Sequence, residues 1–531
     1  MIVMHLFAEL LDRLTYSPSR NTKLNLMASY FRSAPDPDRG WALAVLTDGL
    51  PFSFPVRRII KEIILDRVDD ELFHLSRDYI GDTAETIALL WPQTSNLNED
   101  SLLLNFVVEE LRNADRKNLS NLLVGWLDRL DTIGRWALLK VLTGTLRVGV
   151  SSRLAKLSIS QAWDRDVVEI EELWHSLTPP YELLFNWLEG RAQRPDVSNL
   201  PVFRPMMLAH PLKTADWNVL ELTDYFIEWK WDGIRVQVVS KSGVVRLYSR
   251  TGDEITASFP DLLKDVQFEG VFDGELLIVR DNNVAPFSDL QKRLNRKTVT
   301  KKLMESFPPR IKIYDLLEID GEDLRGFSLL ERRARLETWY SHFLPSDMDL
   351  SSLISSSDKD TLEKLWSNTR LASVEGLMLK KKTSPYLSGR PKGHWFKWKR
   401  APLTLDCVMM YAQHGSGRRS SLYSDYTFGL WRSDGEYGLE LVPVGKAYSG
   451  FSDDELGRLD RWVRNNTIQR YGPVRAVSIG LVLEIAFDSV QRSKRHKSGV
   501  AMRFPRIHRI RWDKSSDNAD MIDTLISLIH E

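Results

Sequence analysis

The spacing of hydrophobic residues changes along this chain at residues 193–205, a stretch rich in polar residues and proline. Before that stretch, leucines recur at helical spacing, as at Leu6, Leu10 and Leu14, which predicts an all-helical domain. Beyond it, short segments alternate apolar and polar residues, which is the pattern of β-strands with one buried face. The two spacings predict separate domains joined by a linker, because a pattern with helical period does not fold as a strand.

The strand-rich part divides again at Ala401-Pro402. At roughly 100–200 residues per domain, a chain of 531 residues is expected to contain several cores. We therefore predict an all-α domain at 1–195, an α+β domain at 196–401 and a small β-barrel of the OB type at 402–531. The predicted strands are 226–239, 244–249, 271–279, 311–317, 374–380, 406–411, 426–431 and 481–487, and the predicted later helices are 329–339, 362–366 and 453–465.

Charge is segregated along the chain although its total is balanced. Lysine plus arginine and aspartate plus glutamate both number 72, so there is no overall excess of positive charge. The segment 492–514, however, carries nine lysine and arginine residues against one acidic residue, Asp513. Such a run usually forms a solvated face, but a neutral protein can still bind phosphate when its charges are segregated.

Cysteine content and hydropathy exclude several classes of protein. A single cysteine, Cys407, rules out an internal disulfide and a zinc site built from clustered cysteines. No apolar run approaches the roughly 20 residues needed to cross a bilayer, and the first residues lack the basic segment of a signal peptide. These features predict a cytoplasmic protein without membrane contact.

The strongest local signal is the segment 228–235, in which a lysine lies between two carboxylates and precedes a glycine. Strand alternation places apolar residues on one face and Glu228, Lys230 and Asp232 on the other. An edge strand protected by charged residues would show the same pattern, so this segment alone does not decide. Asp232 before Gly233 is also a frequent turn device, which leaves its role open between structural and catalytic.

Further motifs follow the lysine segment in a defined order over fewer than two hundred residues. Each is weak by itself, because an acidic residue next to glycine is often only a turn. Their ordered combination is hard to explain by chance. They are Ser249-Arg250-Thr251-Gly252, Phe272-Asp273-Gly274-Glu275, Tyr314-Asp315-Leu316-Leu317, Val374-Glu375-Gly376 through Lys380, and Trp395-Phe396-Lys397-Trp398-Lys399.

In these motifs the sequence resembles the covalent nucleotidyltransferases, and specifically bacterial-type ATP-dependent DNA ligases with an N-terminal helical DNA-binding domain. The resemblance covers essentially the whole chain and includes residues 204–209, 503–506 and 511–514. It implies an enzyme that seals 5′-phosphate/3′-hydroxyl nicks in duplex DNA through a lysyl-AMP and a DNA-adenylate, releasing AMP and pyrophosphate. It also implies ATP and Mg²⁺ (or Mn²⁺), a monomer that encircles DNA, a nucleoid-associated location, and roles in DNA replication, repair and recombination.

The resemblance assigns Lys230 as the nucleophile that attacks the α-phosphorus of ATP. An amine attacks only as the free base, and an unperturbed lysine has a pKa of about 10.4. Burial and nearby cations are therefore expected to lower the pKa of Lys230. Alternation puts Lys397 and Lys399 on one strand face with Trp395, so both ammonium groups can point into one pocket. The resemblance assigns these two lysines to phosphate contacts.

The resemblance places five more residues around the nucleotide. Glu228 is expected to read the adenine amino group, and Tyr314 to stack on the base. Arg235 and Glu275 are expected to hold the ribose. Glu375, together with Glu275, is expected to position a divalent metal, since Mg²⁺ favours oxygen ligands and substrate phosphates.

Other cations are assigned to phosphate groups. Arg250 is expected to contact the phosphate of AMP or of the nick. In the C-terminal domain, Arg511 and Lys514 are expected to orient the β- and γ-phosphates so that pyrophosphate leaves in line. The basic loop 415–419 supplies Arg418 and Arg419, which could follow a DNA backbone. A motif so distant from the lysine implies a barrel that moves between an adenylation position and a DNA-bound position.

One stretch of the helical domain, residues 144–153, also predicts phosphate contact. Two glycines followed by serines that can cap a helix would offer backbone amides to a phosphate. Arg147 and Arg153 lie beside them and are expected to bind DNA. An ordinary capped turn between helices would have the same sequence, and the family resemblance favours DNA contact.

Other classes of protein remain as alternatives. An RNA ligase or an mRNA-capping guanylyltransferase would share the lysine motif, but neither normally carries a helical domain of this size, and Glu228 suits adenine better than guanine. An NAD-dependent ligase would need a four-cysteine zinc module, which Cys407 alone cannot supply. A non-enzymatic DNA-end scaffold would tolerate loss of the lysine and its partners, yet all of them are present.

Overall fold

The computed structural model of the protein describes residues 3–50, 56–92, 102–115, 118–144, 146–264, 268–294, 296, 298–356, 358–367, 373–399, 401–415, 422–434, 438–448, 453–494 and 496–529. The predicted DNA contacts Arg418 and Arg419 lie outside the described residues. The fold divides into two compact units. One comprises Met1–Ala162, Pro179–Glu182 and Pro402–Glu531, and the other comprises Trp163–Thr178 and Leu183–Ala401.

The N-terminal part is helical, as its residue spacing predicts. Aspartate side chains begin several helices: Asp69, Asp82 and Asp131 each accept a hydrogen bond from a backbone amide of the first turn. These bonds satisfy amides that have no partner within the helix. The helices are α1 Val3–Tyr16, α2 Arg20–Ser33, α3 Asp38–Leu46, α4 Val56–Leu65, α5 Asp70–Ile80, α6 Thr83–Leu90, α7 Leu104–Asn113, α8 Leu119–Arg129, α9 Thr132–Thr143, α10 Ser152–Trp163, α11 Val167–Leu173 and α12 Glu182–Leu188.

Helices α1 and α9 pack against each other and form part of the apolar core. Leu10 and Leu14 of α1 and Leu138 and Leu142 of α9 are buried. Leu6, which shares the spacing of Leu10 and Leu14, is 36% exposed. Among the described helices, none combines the length and apolar composition that a membrane crossing requires.

The second unit contains two β-sheets. One sheet has the strand order β1-β11-β10-β2; the other has β4-β3-β5-β7-β8, with β6 beside β5 and β9 beside β7. The strands are β1 His210–Pro211, β2 Tyr225–Trp231, β3 Ile234–Lys241, β4 Val244–Ser249, β5 Gly270–Arg280, β6 Asn283–Val284, β7 Pro309–Ile319, β8 Glu322–Asp323, β9 Met348–Leu350, β10 Val374–Lys381 and β11 Trp395–Lys399. The helices are α13 Phe287–Gln291, α14 Lys301–Ser306, α15 Leu329–Phe343 and α16 Lys359–Ser367.

The prediction of one strand over residues 226–239 is wrong. The segment forms two strands, β2 and β3, which belong to different sheets. Gly233 lies between them, and a Cβ atom there would be 2.5 Å from the carbonyl oxygen of Leu276. The apolar positions are odd-numbered up to Trp231 and even-numbered from Ile234, so the alternation changes phase at the junction. The chain therefore passes from one sheet to the other directly after the lysine motif.

The predicted helical insert is confirmed as α15 and α16. Helix α15 packs on β7, and its Trp339 ring lies 4.3 Å from the ring of Phe272 in β5. Arg332 of the same helix donates hydrogen bonds to both carboxylate oxygens of Asp315, at 2.8 and 2.9 Å. Both side chains are fully buried. This ion pair ties α15 to the strand that carries the Tyr314 motif.

The C-terminal part is a curled sheet, as expected for the predicted OB-type barrel. Its first strand pairs with β17 through residues 403–408 and with β16 through residues 411–413. A strand with two successive partners bends the sheet around an apolar core, which contains Cys407 and Tyr426. The elements are β12 Leu403–His414, β13 Tyr423–Asp434, β14 Gly438–Tyr448, α17 Asp453–Asn465, β15 Thr467–Tyr471, β16 Val474–Val477, β17 Val482–Phe487, β18 Ser489–Arg492, β19 Val500–Arg503, β20 Arg506–Arg511 and α18 Ile522–Ser527.

Candidate active site

A cavity of about 370 Å³ in the second unit brings most of the candidate residues together. Strands β2, β10 and β11 of one sheet and β3, β5 and β7 of the other contribute to its walls. The sequence-predicted residues that line it are Glu228, Lys230, Arg235, Arg250, Glu275, Tyr314, Glu375, Lys397 and Lys399. These residues are spread over six strands and one turn, so only the tertiary fold assembles them.

Lys230 is held by Glu375. Its Nζ donates a hydrogen bond to Glu375 Oε2 at 2.5 Å, and Nζ of Lys399 lies 2.9 Å from the same oxygen. Strand register causes this arrangement, because Gly376 of β10 pairs with Lys230 of β2 on one side and with Lys399 of β11 on the other. Although burial raises it, the two ammonium groups lower the pKa of Glu375 to about 2, so this carboxylate is ionised at neutral pH.

Gly376 permits the close approach of β10 to β11. Its φ is 149°, and a Cβ atom there would lie 2.1 Å from the carbonyl oxygen of Trp398. The register against β2 also shifts between Val374 and Gly376. A bulge of this kind re-aims the extra side chain, which here is that of Glu375, a residue of the cavity wall.

Alternation along β11 is confirmed. Lys397 and Lys399 line the cavity, whereas Phe396 and Trp398 pack in an apolar cluster with Ile227 on the other side of the sheet. Burial, together with the positive charge of Lys399 and other neighbouring cations, lowers the pKa of Lys397. Two lysines on one wall form a positive surface that suits a phosphate group.

Alternation along β2 is followed only in part. Ile227 is buried in the apolar cluster, and Trp229 packs against that cluster, but Trp229 and Trp231 also reach the cavity wall. The ammonium group of Lys312 lies 5.0 Å from the centre of the Trp231 ring. The alternation of β2 therefore does not confine these two tryptophans to the apolar face.

Glu275 is a further carboxylate of the cavity, besides Glu228 and Glu375. Burial raises its pKa to about 7, with Glu375 adding to the rise, while Lys230 and Arg235 oppose it. Among the described residues, no group of three or more histidine, cysteine, aspartate or glutamate side chains could hold a metal ion alone. Mg²⁺ usually takes one or two carboxylates together with substrate phosphates and water. Glu275 and Glu375 therefore fit a metal ion that is also bound by the phosphates of a nucleotide.

The inner end of the cavity contains a buried ion pair that the sequence did not predict. Lys380 Nζ lies 3.1 Å from Glu228 Oε1, and both side chains are at most 3% exposed. The same nitrogen lies 3.8 Å from the centre of the Tyr314 ring. Residue 380 ends the motif that begins at Val374, and that position is the only sequence signal for it. Glu228 and Tyr314 thus share one cationic neighbour.

Arg235 is tied to the protein on several sides. Its Nη1 donates a hydrogen bond to the carbonyl oxygen of Met207 at 2.6 Å, and its Nη2 donates to Asp273 Oδ2 at 2.7 Å. Nη2 also lies 3.2 Å from the hydroxyl oxygen of Tyr386. Sequence reasoning assigned no role to Asp273 or Tyr386, although Asp273 stands in the same motif as Glu275. These contacts hold the Arg235 guanidinium at the cavity wall.

Arg250 reaches the same cavity from a turn after β4. The carbonyl oxygen of Ser249 accepts a hydrogen bond from the amide of Gly252 at 2.9 Å, and the amide of Ser249 donates to the carbonyl oxygen of Asp253 at 2.8 Å. Gly252 has a φ of 85°, which favours glycine. The turn therefore presents an exposed Arg250 at the cavity mouth.

Arg511 and Lys514 lie in the barrel, on and just after β20. Asp406 of β12 binds both, with Oδ2 at 3.0 Å from Arg511 Nη1 and 2.8 Å from Lys514 Nζ. Asp513 binds the other edge of the Arg511 guanidinium, at 2.9 Å from both Nε and Nη2. The two predicted phosphate contacts are thus neighbours within the barrel.

The predicted phosphate-binding stretch of the helical domain is a capped turn. Ser151 Oγ accepts a hydrogen bond from the amide of Leu154 at 3.2 Å, which confirms the predicted serine cap of α10. Arg147 has a φ of 51°, and the Nζ of Lys23 donates to the carbonyl oxygen of Val148 at 2.6 Å. Arg147 and Arg153 are both exposed. Their contact with DNA stays a prediction.

Two family models match the chain. The model described as ATP dependent DNA ligase domain matches residues 206–399, which include the cavity. The model described as ATP dependent DNA ligase C terminal region matches residues 419–514, which end at Lys514.

Curated relatives match over nearly the whole chain. "Probable DNA ligase" of Koribacter versatilis (strain Ellin345) is 30% identical over 560 residues, covering 98% of this chain and 95% of that protein. "DNA ligase 1" of Korarchaeum cryptofilum (strain OPF8) is 30% identical over 535 residues, covering 97% of this chain and 96% of that protein. These matches set aside the RNA-ligase, capping-enzyme, NAD-dependent and scaffold alternatives.

A solved structure supports the same fold over nearly the full length. The chain described as "Pmar-Lig_Pre." superposes with a TM-score of 0.59 at 16% identity, covering 96% of this chain and 99% of that chain. At this identity the likeness concerns the fold, while the family follows from the sequence matches. The chain therefore belongs to the ATP-dependent DNA ligases, enzymes that seal nicks in DNA with ATP and a divalent metal.

Proposed function

We propose that this ligase seals nicks in duplex DNA with Lys230 as the residue that carries AMP. The observation that supports this most strongly is the shared cavity of Lys230, Glu375, Lys397 and Lys399. One amine stands there beside two further cations and an ionised carboxylate, on three adjacent strands. Such a site combines a nucleophile with positive charge for the phosphates that it attacks.

The proposed reaction has three steps. First, Lys230 Nζ forms a bond to the α-phosphorus of ATP and loses a proton, while the bond from that phosphorus to the bridging oxygen of the β-phosphate breaks and pyrophosphate leaves. Second, an oxygen of the 5′-phosphate at the nick attacks the lysyl-AMP phosphorus, which returns the lysine amine and leaves AMP on the DNA. Third, the 3′-hydroxyl attacks the 5′-phosphorus, a phosphodiester forms, its proton is lost and AMP departs.

Residues of the cavity wall have separate parts in the first step. Lys397 and Lys399 stabilise negative charge on the α-phosphate, and Arg250 contacts phosphate at the cavity mouth. Glu375 holds the Lys230 side chain in place before the nucleotide is bound. Bound Mg²⁺ supplies neutralisation of the triphosphate charge, and Glu275 and Glu375 are the residues that would hold it.

Recognition of the base is proposed for the inner end of the cavity. Glu228 accepts a hydrogen bond from the adenine amino group, and its ion pair with Lys380 orients the Glu228 carboxylate. Guanine presents a carbonyl oxygen at the same position, which a carboxylate repels, so ATP is favoured over GTP. Tyr314 stacks on the base, and Arg235 and Glu275 contact the ribose.

DNA binding is proposed for the two flanking domains. Arg147 and Arg153 of the helical domain, 1–195, and Arg418 and Arg419 of the barrel, 402–531, contact the phosphate backbone on either side of the adenylation domain, 196–401. One monomer that binds with all three domains would encircle the duplex. Because the matched relatives are bacterial and archaeal proteins named DNA ligase, we propose that this ligase acts in the cytoplasm at the nucleoid.

Incubation with α-labelled ATP, followed by a denaturing gel, tests the proposed chemistry. A labelled protein band is expected with ATP, and little or none with α-labelled GTP. A sealing assay then compares nicked duplex DNA, nicked RNA and cohesive DNA ends under the same conditions. Sealing of nicked RNA in preference to nicked DNA would contradict the proposed substrate.

The barrel residues are tested by measuring the steps separately. Arg511→Ala and Lys514→Ala are expected to slow adduct formation by roughly 10²–10³-fold, because each removes a charge partner of the leaving pyrophosphate. Ligation of a nick that already carries AMP should change much less. Arg418→Ala and Arg419→Ala should show the opposite pattern, with normal adduct formation and impaired sealing. Loss of both steps in both pairs, with lower melting temperatures, would indicate a purely structural role.

A further inference from the structure

In the barrel, one carboxylate oxygen binds both cations of the C-terminal motif. Asp406 Oδ2 accepts a hydrogen bond from Arg511 Nη1 at 3.0 Å and another from Lys514 Nζ at 2.8 Å. The Asp406 side chain is 12% exposed. Its other carboxylate oxygen is buried and has no hydrogen-bond partner among the described residues. Both charged contacts of Asp406 are therefore made by one oxygen atom, Oδ2.

The strands fix where Asp406 stands. Its residue pairs with Glu484 of β17, and β17 pairs on its other edge with β20, which carries Arg511. Asp520 holds the Asp406 backbone from both sides, accepting from its amide at 2.7 Å and donating to its carbonyl oxygen at 2.9 Å. The carboxylate is thus anchored by the sheet, whereas Lys514 follows the strand and has a flexible side chain.

The charges of Arg511 and Lys514 repel each other, because both groups lie within hydrogen-bonding distance of the same oxygen. A negative charge between them offsets this repulsion. Asp406 supplies that charge and brings both nitrogens to the same place. Asp513, which is 67% exposed, instead binds the far edge of the Arg511 guanidinium. Without the Asp406 charge, Lys514 would move away from Arg511 toward solvent.

We propose that Asp406 is a positioning residue for self-adenylation, which keeps Arg511 and Lys514 as a preformed pair for the pyrophosphate part of ATP. This inference rests on the proposed function of those two residues. Preorganised charges stabilise a transition state without having to reorganise when the reaction occurs. Asp406 itself touches neither nucleotide nor DNA in this role.

Asp406→Asn in the full chain tests the inference, because it keeps the shape and removes the charge. The expected result is adduct formation that is roughly 10- to 100-fold slower, as for other small misplacements of catalytic groups. The pyrophosphate concentration needed to reverse the adduct should rise by a similar factor. Sealing of nicked DNA that already carries AMP should stay within roughly twofold, since pyrophosphate has no part in it. Asp406→Glu, which restores the charge, should recover part of the adduct-forming rate.

Asp488→Asn is the matched control. Asp488 is also a barrel aspartate paired with an arginine, Arg506, at 3.1 Å, but among the described residues it forms no ion pair with Arg511 or Lys514. It should leave both steps unchanged. The inference is overturned if Asp406→Asn forms adduct and reverses with pyrophosphate normally. It is also overturned if that variant loses both steps equally together with a lower melting temperature.

Arg511→Ala separates this inference from the proposed function. If Arg511→Ala is slow in adduct formation while Asp406→Asn is normal, only the positioning role of Asp406 fails. If Arg511→Ala forms adduct at the normal rate, the pyrophosphate role of the motif fails, and the Asp406 inference fails with it.

Discussion

Lys230 and Glu375 form a short hydrogen bond, 2.5 Å from Nζ to Oε2, between residues that are 145 positions apart in the sequence. Both side chains are less than a quarter exposed. The bond joins β2 to β10 and orients the amine within the cavity. Lys399 shares the same carboxylate oxygen at 2.9 Å, so Lys230, the proposed nucleophile, belongs to a three-residue charge cluster.

This cluster predicts that Lys230→Ala abolishes the protein-AMP adduct without unfolding the domain. Glu375 keeps Lys399 as a partner in the variant, so no buried carboxylate is left without a counter-charge. Ligation of nicked DNA that already carries AMP should survive in part, since that step does not use the amine. Labelling with α-labelled ATP and thermal unfolding measure the two effects. Lys301→Ala, at an 88% exposed lysine of the same domain, is the control. An undiminished adduct in Lys230→Ala would contradict the assignment of Lys230 as the nucleophile.

Glu275 predicts a pH dependence of adenylation. Its pKa is raised to about 7 by burial, so the carboxylate becomes ionised as the pH rises through neutrality. Metal binding needs the ionised form, so adduct formation should increase between about pH 6 and 8 at limiting Mg²⁺. Glu275→Gln should lower the rate and flatten this part of the profile. A wild-type profile that is flat across this range would argue against the role of Glu275.

The free energy of unfolding should also depend on the ionisation of Glu275, but it should fall as the pH rises. Because the folded-state pKa lies above the ordinary value of 4.5, the contribution of Glu275 to stability is fully present below pH 4.5 and is lost as the pH rises to about 7. Glu275→Gln should therefore gain stability relative to wild type between pH 5 and pH 8, by up to about 3 kcal/mol. Melting temperatures at the two pH values measure this, with Glu305→Gln at an exposed position as the control. An equal difference at both pH values would contradict the prediction.

Truncation of the helical domain should leave adenylation intact if the cut falls at the boundary between the two units. Residues 163–178 belong to the second unit, and Glu172 in this segment lies 2.7 Å from Arg325 and 3.8 Å from Arg204. A chain lacking residues 1–162 should therefore form adduct at nearly the full rate, because the cavity and these ion pairs are kept. A chain lacking residues 1–195 loses the Glu172 contacts and should melt at a lower temperature.

Nick binding should weaken strongly in the chain lacking residues 1–162, and the loss should change the salt dependence. Each phosphate contact that is removed reduces the slope of log affinity against log salt by about 0.9. Titration of labelled nicked DNA at several salt concentrations measures the slope in both chains. If the shorter chain binds nicks as tightly as the full chain, the helical domain has another function.

The buried pair Asp315–Arg332 predicts a large effect on stability. Arg332→Met would leave the fully buried Asp315 carboxylate without its partner, which typically costs about 3–5 kcal/mol. Adding Asp315→Asn to that variant should recover part of the loss, since the uncompensated charge is then removed. Urea unfolding of the single and double variants measures both effects. Arg58→Ala, at an exposed ion pair, should change stability little, and a similarly small effect of Arg332→Met would refute the prediction.

Local patterns were enough for the parts of the site that depend on one strand. The alternation of residues 395–399 predicted that Lys397 and Lys399 share a face, because side chains in any strand alternate whatever the strand pairs with. The leucine spacing likewise predicted the N-terminal helices, because residues three or four positions apart lie on the same face of a helix. The ordered motifs indicated the family, which the sequence matches show, whereas the role of Lys230 stays a prediction.

Pairings between distant strands were decided by the tertiary structure alone. The register of β2 against β10 brings Glu228 next to Lys380, 152 positions away, and no local pattern contains that register. The alternation changes phase at Gly233, but that local change does not show that β2 and β3 belong to different sheets. The barrel likewise places Asp406 against Arg511 through β17. The sequence determined which side chains were available and which way each strand faced, whereas packing of the sheets determined which charges meet, because a contact between distant residues is a property of the folded chain.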